Sequence, residues 1–340
     1  MAQYLITGHT GFKGAWLIFL LKAQGHHVSG LALDPLPGSI FDRTSLESDL
    51  VHDFRVDIRN RDETVQAIQH AQPDYVIHMA AQALVREGYR NPRNTYETNV
   101  LGTLNVLEAI DQTDSVRAQL IVTTDKVYQD RGLNRPYVET DPLGGKDPYS
   151  ASKAIADILA QEYLSRAGAK PGAVVRAGNV IGAGDVSADR LIPDLLRTFQ
   201  GGAPAILRYP TAVRPWQHVL DCLLGYLLAL DYVTSRKEFL CLNFGPDTAD
   251  FATVGSVVEE VESLLGRKLT SSDREHEPDM GEAIALSLDS SLSRKLFAWS
   301  ENMRLRDAIA DAVALIGTEP PRTVREHIES KISEAGAGRV

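Results

Sequence analysis

The sequence has little that would suit a disulfide-stabilised, metal-binding or nucleic-acid-binding protein. Only two of its 340 residues are cysteine, Cys222 and Cys241, and they fit neither a disulfide framework nor a C-x-x-C metal site. The nine histidines show no H-x-x-x-H or clustered spacing, so we expect no metal. A formal net charge of −10 gives no general attraction for nucleic acid or anionic lipid. Any phosphate must therefore be bound locally, by backbone N–H groups and a few arginines.

Long hydrophobic runs are also missing. The longest apolar run near the N-terminus, residues 15–21, has seven residues and ends at Lys22, whereas a membrane span needs about 20. The first residues do not resemble a signal peptide. We therefore expect a buried helix at this position, no membrane partner, and two reduced thiols in a cytoplasmic protein.

Strand and helix patterns alternate along the first half of the chain. The predicted strands are 3–7, 27–32, 54–57, 75–79, 119–123 and 173–176, and the helices between them are 14–24, 61–71, 94–111 and 149–166. Strands separated by helices indicate βαβ units and a parallel sheet, and right-handed crossovers make that sheet doubly wound. The predicted fold class is α/β, a doubly wound parallel sheet of Rossmann type with a smaller mixed α/β C-terminal lobe.

The pattern loosens after about residue 178. Helices are predicted at 191–200, 217–232, 253–265 and 305–315, together with a strand at 239–244. We predict that residues 1–178, with returning segments at about 215–245, form the first domain. The smaller lobe then comprises about 179–214 and 246–330, and residues 331–340 form a frayed tail.

A glycine-rich loop, T-G-H-T-G-F-K-G, directly follows the first strand and opens the first helix. Gly8, Gly11 and Gly14 are spaced for a tight turn that lets backbone N–H groups approach a pyrophosphate at the positive end of the helix. Three glycines also occur in plain turns, but the strand–loop–helix context favours dinucleotide binding.

Asp34 lies 20 residues after Gly14, at the end of the second strand. A carboxylate at this position accepts hydrogen bonds from the adenosine ribose and repels a 2′-phosphate, which favours NAD over NADP. Lys13 and His9 leave NADP open, and an Asp-Pro turn is the alternative for Asp34. Asp57-Ile58 is placed to contact adenine, with a solvated strand end as an equal alternative.

The motif Y-S-A-S-K places Tyr149 and Lys153 on one face of a helix. A free tyrosine has a pKa of about 10, and a nearby ammonium is expected to lower the pKa of the Tyr149 phenol. The pair could then remove a hydroxyl proton while hydride leaves the same carbon. Alone this motif is often a solvated helix face, but here it follows a dinucleotide loop and a fifth strand. Thr124, Asp125 and Lys126 follow that strand, where an α/β sheet binds its ligands.

These residues resemble those of the extended short-chain dehydrogenase/reductases and, within them, the CDP-glucose 4,6-dehydratases. The resemblance runs over nearly the whole chain. It is carried by T-G-H-T-G-F-K-G-A-W at 7–16, H-M-A-A-Q at 78–82, T-N-V-L-G-T at 98–103, D-P-L-G-G-K-D-P-Y-S-A-S-K at 141–153, R-A-G-N-V-I-G at 176–182 and R-P-W-Q-H-V at 214–219. Asp125-Lys126 stands where dTDP- and GDP-sugar dehydratases have Asp-Glu.

The resemblance implies a three-step dehydration with bound NAD. Tyr149 with Lys153 deprotonates the sugar 4-hydroxyl, to which Thr124 hydrogen-bonds, and C4 is oxidised. Asp125 is implied as the acid for the departing 6-hydroxyl, and Lys126 as the base at C5 or a stabiliser of the enolate. Hydride then returns to C6, giving a CDP-4-keto-6-deoxyhexose. A salt bridge with Asp125 is the alternative role for Lys126.

The resemblance also implies the remaining site residues. Those expected around the cofactor are Gly8, Thr10, Gly11, Phe12, Lys13, Gly14, Asp34, Asp57, Ile58, Ala80, Ala81, Gln82, Asn99, Thr123, Tyr149 and Lys153. Those expected around the nucleotide sugar are Arg86, Asn179, Arg190, Leu191, Arg208, Arg214 and His218, although a structural hydrogen bond is the favoured role for His218.

Some alternatives stay open at the level of the sequence. Val186 and the pair Glu87-Gly88 depart from the family pattern near the expected sugar pocket, which leaves room for another sugar or base. An epimerase and a catalytically silent NAD-binding protein are the other hypotheses. By analogy with the family we expect a homodimer or higher homo-oligomer, formed by helices at about 94–111 and 149–166.

Overall fold

The computed structural model describes residues 1–132, 135–205, 207, 209–247, 251–270, 286–317 and 319–336. Its centre is a seven-stranded, wholly parallel sheet with the strand order β10-β6-β5-β4-β1-β2-β3. These strands are β1 Gln3–Thr7, β2 His27–Ala32, β3 Asp53–Arg55, β4 Tyr75–His78, β5 Ala118–Val122, β6 Gly172–Ala177 and β10 Phe239–Phe244. The chain reverses its direction across the sheet between β1 and β4, and α/β proteins bind ligands at this switch point.

Short strands form two further pairs in the C-terminal half. These are β7 Val180–Ile181 with β9 Gln217–His218, and β8 Val213–Arg214 with β11 Ala252–Thr253. The helices are α1 Phe12–Ala23, α2 Ile40–Thr44, α3 Arg61–Ala71, α4 Val85–Arg90, α5 Pro92–Tyr96, α6 Gly102–Asp111, α7 Pro148–Ser165, α8 Leu191–Phe199, α9 Val219–Arg236, α10 Val254–Leu265, α11 Ser291–Phe297, α12 Leu305–Ala314 and α13 Pro321–Glu334. Within the described residues, no helix is both long and apolar enough to cross a membrane.

The sheet is buried on both faces because successive residues of each strand point into opposite cores. Ile6 and Leu120 face the core under α1 and α9, whereas Leu5 and Ile121 face the cores under α3, α6 and α7. Helix α1 is buried along residues 14–21, which explains the apolar run seen in the sequence.

A second core lies in the smaller lobe, where α8, α10 and α12 pack together around Leu195, Val261 and Ile309. Helices α11 and α13 return to the first core, to which Phe297 and Ile328 contribute. No helix was predicted for either segment, and residues up to 330 were predicted to belong to the smaller lobe, whereas α11 and α13 pack on the first core. The last helix runs to Glu334, so the predicted frayed tail does not begin at residue 331.

Two predicted helices differ in detail. The helix predicted at 94–111 begins at Pro92 and contains a π-helical segment, Glu97–Leu101, between α5 and α6. The helix predicted at 217–232 begins only at Val219, because Gln217 and His218 pair with β7. The short helices α2 and α4 were not predicted.

A buried ion pair joins β6 to α7 behind the carboxyl end of the sheet. Arg176 donates from Nε and Nη2 to the carboxylate of Asp157 at 2.9 and 2.7 Å. Both side chains are at most 1% exposed. Asp157 also accepts a 2.8 Å bond from Thr123 Oγ1, so one carboxylate ties together the end of β5, β6 and α7.

We expect Arg176→Met to destabilise the fold by about 3–5 kcal/mol, because it leaves the Asp157 carboxylate buried and uncompensated. The double variant Arg176→Met/Asp157→Leu removes both charges and should lose less than the single variant. Urea unfolding measures both. A loss below about 1 kcal/mol in the single variant would contradict the assigned role of the pair.

Candidate active site

The glycine loop after β1 is closely packed. Gly8 has φ +75°, and a Cβ at this position would lie 2.7 Å from the backbone nitrogen of Ala80. A Cβ at Gly14 would lie 2.5 Å from the carbonyl oxygen of Gly8. Only glycine fits these two positions without a backbone shift, so the loop stays tight between β1, β4 and α1.

Helix α1 begins directly after this loop. Its N-cap is Gly11, which supplies no side-chain hydrogen bond to the first turn formed by Phe12, Lys13 and Gly14. Because no side chain caps them, the backbone N–H groups of this turn are available to an anion, and the helix dipole favours one there. Thr10 supports the loop by donating from Oγ1 to the carbonyl of Leu33 at 3.1 Å.

The two carboxylates predicted to contact the cofactor, Asp34 and Asp57, lie just after β2 and β3. The side chain of Asp34 is exposed just past β2, open to a ligand on the loop. Asp57 accepts hydrogen bonds from the backbone and guanidinium of Arg59, which lowers the pKa of the carboxyl. Asp57 therefore orders its own turn, while Ile58 is buried against Gly102.

A cavity of about 780 Å³ opens at the carboxyl ends of β4, β5 and β6. It is large enough for a sugar nucleotide, because ligand pockets span roughly 300–1,000 Å³. Its wall is shared by the first domain and the smaller lobe. Of the predicted residues, it is lined by Lys13, Ala81, Arg86, Thr123, Thr124, Asp125, Lys126, Tyr149, Lys153, Asn179, Arg190, Leu191 and Arg214.

Helix α7 carries Tyr149 and Lys153 into this cavity. Asp147 caps the helix by accepting from the Ser150 backbone nitrogen at 3.0 Å, and Pro148 occupies the first turn. Tyr149 is 8% exposed and Lys153 is 5% exposed. Lys153 Nζ donates to the carbonyl oxygen of Val122 at 2.9 Å, which holds the start of α7 against the end of β5.

The expected acidity of Tyr149 is not found. Burial, with the nearby charge of Asp125, raises the pKa of the Tyr149 phenol to about 12. Burial, with the like charge of Lys13, lowers the pKa of Lys153 to about 8. The prediction of a lowered phenol pKa was therefore wrong for the protein alone, since desolvation is the largest influence on Tyr149 and raises its pKa.

Thr124, Asp125 and Lys126 form a short 3-10 turn after β5. Thr124 Oγ1 caps it by accepting from the Lys126 backbone nitrogen at 3.3 Å, and donates to Asp125 Oδ1 at 2.9 Å. Asp125 is 3% exposed, and burial raises the pKa of its carboxyl. The ion pairs found among the described residues do not join Asp125 to Lys126, although the charge of Lys126 acts to lower the pKa of the Asp125 carboxyl.

Lys13 was predicted to contact the cofactor at the glycine loop, but its ammonium lies beside Tyr226. Its backbone lies in the first turn of α1, but its ammonium enters the cavity wall 3.3 Å from the hydroxyl of Tyr226. Burial lowers the pKa of Lys13. The charge of Lys13 in turn acts on Lys153, whose pKa it lowers.

Several other residues predicted around the cofactor make hydrogen bonds within the protein that support the site. Ala80 donates its backbone N–H to Thr7 Oγ1 at 3.1 Å, beside Gly8. Asn99 accepts from the Gln82 backbone nitrogen at 2.8 Å and donates to Ser152 Oγ at 2.8 Å. These bonds join the end of β4 to α7. Thr123 turns its hydroxyl away from the cavity toward Asp157.

The predicted sugar-nucleotide residues divide into two groups. Asn179, Arg190, Leu191 and Arg214 line the cavity, whereas Arg208 lies outside the described residues. His218 is not a substrate residue in this structure. Its side chain is wholly buried, and its Nε2 is bonded to Asp311 Oδ2 at 2.9 Å. It also caps α9 by accepting from Leu220 at 3.2 Å, which confirms the structural role weighed for it.

One residue of the cavity wall, Asp189, was not predicted. Its Oδ1 accepts a 3.2 Å hydrogen bond from Arg86, which was predicted, and both residues line the cavity. Asp189 lies 103 positions further along the chain, so no local pattern links the pair. Asp157, in contrast, follows Lys153 by one helical turn, a spacing from which a neighbour of Lys153 could have been predicted.

The sequence is similar to those of known nucleotide-sugar dehydratases and epimerases. The family model described as "NAD dependent epimerase/dehydratase family" matches residues 4–242. A CDP-glucose 4,6-dehydratase of Salmonella typhimurium is 39% identical, over 92% of this chain and 89% of that protein. UDP-glucose 4-epimerase 3 of Oryza sativa subsp. japonica is 24% identical, over 91% of this chain and 88% of that protein.

Solved structures share the fold. A UDP-glucose-4-epimerase from Stenotrophomonas maltophila, with bound NAD and formylated UDP-arabinopyranose, has a TM-score of 0.81 at 21% identity and covers 98% of this chain and 100% of its own. The matched family model spans the glycine loop, the Thr124–Lys126 turn and the Tyr149–Lys153 pair. The chain belongs to the NAD dependent epimerase/dehydratase family.

Proposed function

We propose that this chain is an NAD-dependent lyase that dehydrates CDP-glucose to CDP-4-keto-6-deoxyglucose. The observation that carries the proposal is a single cavity that is lined by a tyrosine–lysine pair and by a buried carboxyl, Asp125, which accepts a hydrogen bond from Thr124. Oxidation at C4 needs the tyrosine–lysine pair as base, and loss of the 6-hydroxyl needs the carboxyl as acid. The similarity to a CDP-glucose 4,6-dehydratase over most of the chain supports the choice of sugar and base.

The residues of the glycine loop fit NAD. The backbone groups of Gly11, Phe12, Lys13 and Gly14 would hold the pyrophosphate, and the exposed Asp34 would meet the adenosine ribose. When bound, NAD supplies a hydride acceptor at C4 of the sugar and a hydride donor at C6. The carboxylate of Asp34 disfavours a 2′-phosphate.

Tyr149 is the proposed base for the sugar 4-hydroxyl. Its phenol lines the cavity beside Thr124, whose hydroxyl would contact the same sugar oxygen. Lys153 would stabilise the phenolate electrostatically from one helical turn away, while its bond to Val122 fixes its direction.

Asp125 is the proposed acid for the 6-hydroxyl. A raised carboxyl pKa suits an acid that must still carry a proton near neutral pH. Lys126 also lines the cavity, and we propose that it acts at C5 as base or stabilises the enolate.

Two arginines and an amide of the cavity wall would hold the diphosphate. Arg190, Arg214 and Asn179 all line the cavity. A planar guanidinium suits paired phosphate oxygens. We propose Leu191 and Arg86 as further contacts at this end. The part played by Arg208 stays a prediction.

The direct test uses purified protein with CDP-, dTDP-, GDP- and UDP-glucose in deuterated water, followed by mass spectrometry. We expect loss of one water and one deuteron incorporated at C5 with CDP-glucose, and no net NADH. Tyr149→Phe should lose at least about 100-fold in turnover while still binding NAD, because it lacks the proton acceptor. A product that has lost no water would support epimerisation instead. Unchanged turnover in Tyr149→Phe would contradict the mechanism.

The pH dependence of kcat should follow the ionisation of Lys153. Its pKa is lowered to about 8, so the ammonium loses its proton as the pH rises past this value. We expect kcat to fall on that alkaline side. Lys13→Met removes a like charge, which raises the Lys153 pKa and moves the alkaline fall to higher pH. If the alkaline fall of kcat lies at the same pH in Lys13→Met as in the wild type, another group causes that fall.

We propose that two copies of the chain associate through α7 and the helical segment before α6. Leu101, Ile155 and Ile158 are 51%, 45% and 54% exposed on these neighbouring helices. Exposed aliphatic side chains on two adjacent helices suit a two-fold packing into four helices.

Ile158→Glu should convert the dimer to a monomer, because it buries a charge at the centre of that packing. Light scattering after size exclusion measures the mass. Leu264→Glu, which changes a residue of similar exposure on α10, is the matched control and should stay dimeric. An unchanged mass for Ile158→Glu would place the interface elsewhere.

A further inference from the structure

The carboxyl of Asp125 has one oxygen that is hydrogen-bonded and one that is not. Oδ1 accepts a 2.9 Å hydrogen bond from the Thr124 hydroxyl. Oδ2 is buried and has no hydrogen-bond partner among the residues that the structure describes. The residue as a whole is 3% exposed. Because the hydrogen of Thr124 already points to Oδ1, a proton carried by the carboxyl belongs on Oδ2.

Oδ2 lies beside the backbone of Gly178, which directly follows β6. A Cβ at Gly178 would lie 3.1 Å from Asp125 Oδ2, 2.3 Å from Pro215 Cγ and 3.2 Å from the Pro215 carbonyl oxygen. Gly178 is not among the glycines with positive φ, so its backbone conformation does not require glycine. Space is the reason instead, because the missing side chain leaves room for the carboxyl oxygen and the proline ring. We call this space between Gly178 and Pro215 the Gly178 niche.

The walls of the Gly178 niche are held by the backbone. Gln217 donates its backbone N–H to the carbonyl oxygen of Asn179 at 2.9 Å, and the pairing of β7 with β9 begins at the next residue. The ring of Pro215 cannot rotate away, since it is closed onto its own backbone nitrogen. The side chain of Asp125 is therefore the part that moves when the niche is filled or opened.

We propose that Gly178 and Pro215 are positioning residues that keep a proton on Asp125 Oδ2 until a 6-hydroxyl is bound. A carboxylate oxygen in the niche would lose its water without gaining a hydrogen bond, and it would lie near the partial negative charge of the Pro215 carbonyl. A protonated oxygen avoids both costs. The inference rests on the proposed function and deepens it.

The niche gives Asp125 the proton that the proposed elimination uses. Rotation about the Cβ–Cγ bond turns Oδ2 to the cavity that Asp125 lines. As the C6–O bond breaks, Oδ2 gives its proton to the departing oxygen, water leaves, and Asp125 becomes a carboxylate. Return of a proton from solvent, after the product has left, restores the acid for the next turnover.

The ionisable groups that interact with Asp125 come from five elements. They are Lys13 of α1, Lys126 of the turn after β5, Tyr149 of α7, Arg214 of β8 and Tyr226 of α9. Burial is the largest influence and raises the pKa of the Asp125 carboxyl, whereas the charges of Lys126 and Arg214 act to lower it. This direction agrees with the geometry of the niche, where the unbonded oxygen is buried.

The protonation of Asp125 can be measured without turnover. A protonated carboxyl has an infrared C=O stretching band that a carboxylate lacks. Subtracting the spectrum of Asp125→Asn isolates this band, which is followed through a pH titration of the NAD-loaded protein without substrate. We expect the wild type to show the band at neutral pH. Pro215→Ala opens the niche to water, so its band should disappear at lower pH than in the wild type.

Gly178→Ala and a double variant test the space itself. The methyl group of Gly178→Ala would meet the Pro215 ring at 2.3 Å and push Asp125 Oδ2 out of the niche. In Gly178→Ala/Pro215→Ala the methyl group occupies the space of the missing ring. We expect the band to disappear at lower pH in each single variant and to return toward the wild-type pH in the double variant. Gly144→Ala is the matched control, because a Cβ there meets only Gln129, at 3.7 Å.

A second readout separates the acid from C4 oxidation. CDP-6-deoxyglucose has no 6-hydroxyl, so NAD-loaded enzyme can oxidise its C4, form NADH and stop without an acid at C6. We expect each single variant to lose at least about 10-fold in dehydration of CDP-glucose, while NADH formation with the analogue falls much less. The double variant should regain most of the lost dehydration.

A wild-type Asp125 that is ionised at neutral pH would overturn the role of the niche and leave the proposed function intact. A band that titrates at the same pH in the wild type and in Pro215→Ala would overturn it as well, even if Gly178→Ala does not fold. If the wild type forms neither NADH with the analogue nor a dehydrated product with CDP-glucose, the proposed function itself fails. Circular dichroism shows which variants are folded.

Discussion

The bond from Lys153 Nζ to the carbonyl oxygen of Val122 is the contact on which the arrangement of the site depends. It is buried, and it draws the first turns of α7 onto the carboxyl end of β5. That position sets Tyr149 beside the turn that carries Thr124 and Asp125. An ammonium buried in this way is costly unless its hydrogens are used, so the lysine cannot easily move elsewhere. Asp157 and Arg176 support the same junction from below.

The cavity is assembled by elements that are far apart in the chain. The glycine loop comes from the N-terminus, the Thr124 turn and α7 from the middle, and the arginines from the segments around α8 and β8. The smaller lobe is held to the first domain by Asp311 of α12. Its carboxylate bonds to His218, His327 and the backbone of Ala183, and these bonds keep its pKa well below the ordinary range. These bonds hold α12 against the residues that follow β7, against His218 and against α13.

Several strands and the start of α7 could be predicted from the sequence, because local sequence patterns determine them. The strand Gln3–Thr7 and the strand Phe239–Phe244 were predicted at their observed bounds, because buried parallel strands are short apolar runs. The start of α7 was predicted within one residue, and the structure shows the Asp147-Pro148 cap that sets it. Thr124, Asp125 and Lys126 were predicted to follow a buried strand, and they follow β5 in the structure.

What could not be predicted depends on side-chain direction and on solvation. Nothing in G-F-K-G shows that Lys13 turns into the cavity, since Tyr226 is 213 residues away. The pKa of Tyr149 was predicted with the wrong sign because the loss of water around the phenol is a property of the fold. Asp189 and Arg86 meet only because α4 and the loop before α8 face each other. The packing of α13 on the first core likewise follows from contacts at long range.

We propose that the cavity binds the sugar with its C4 hydroxyl between Tyr149 and Thr124 and its C6 hydroxyl toward Asp125. A crystal structure of the Tyr149→Phe protein with NAD and CDP-glucose tests this arrangement. We expect the C4 oxygen within hydrogen-bond distance of Thr124 Oγ1 and the C6 oxygen within hydrogen-bond distance of an Asp125 oxygen. A sugar ring bound with C6 turned away from Asp125 would contradict it.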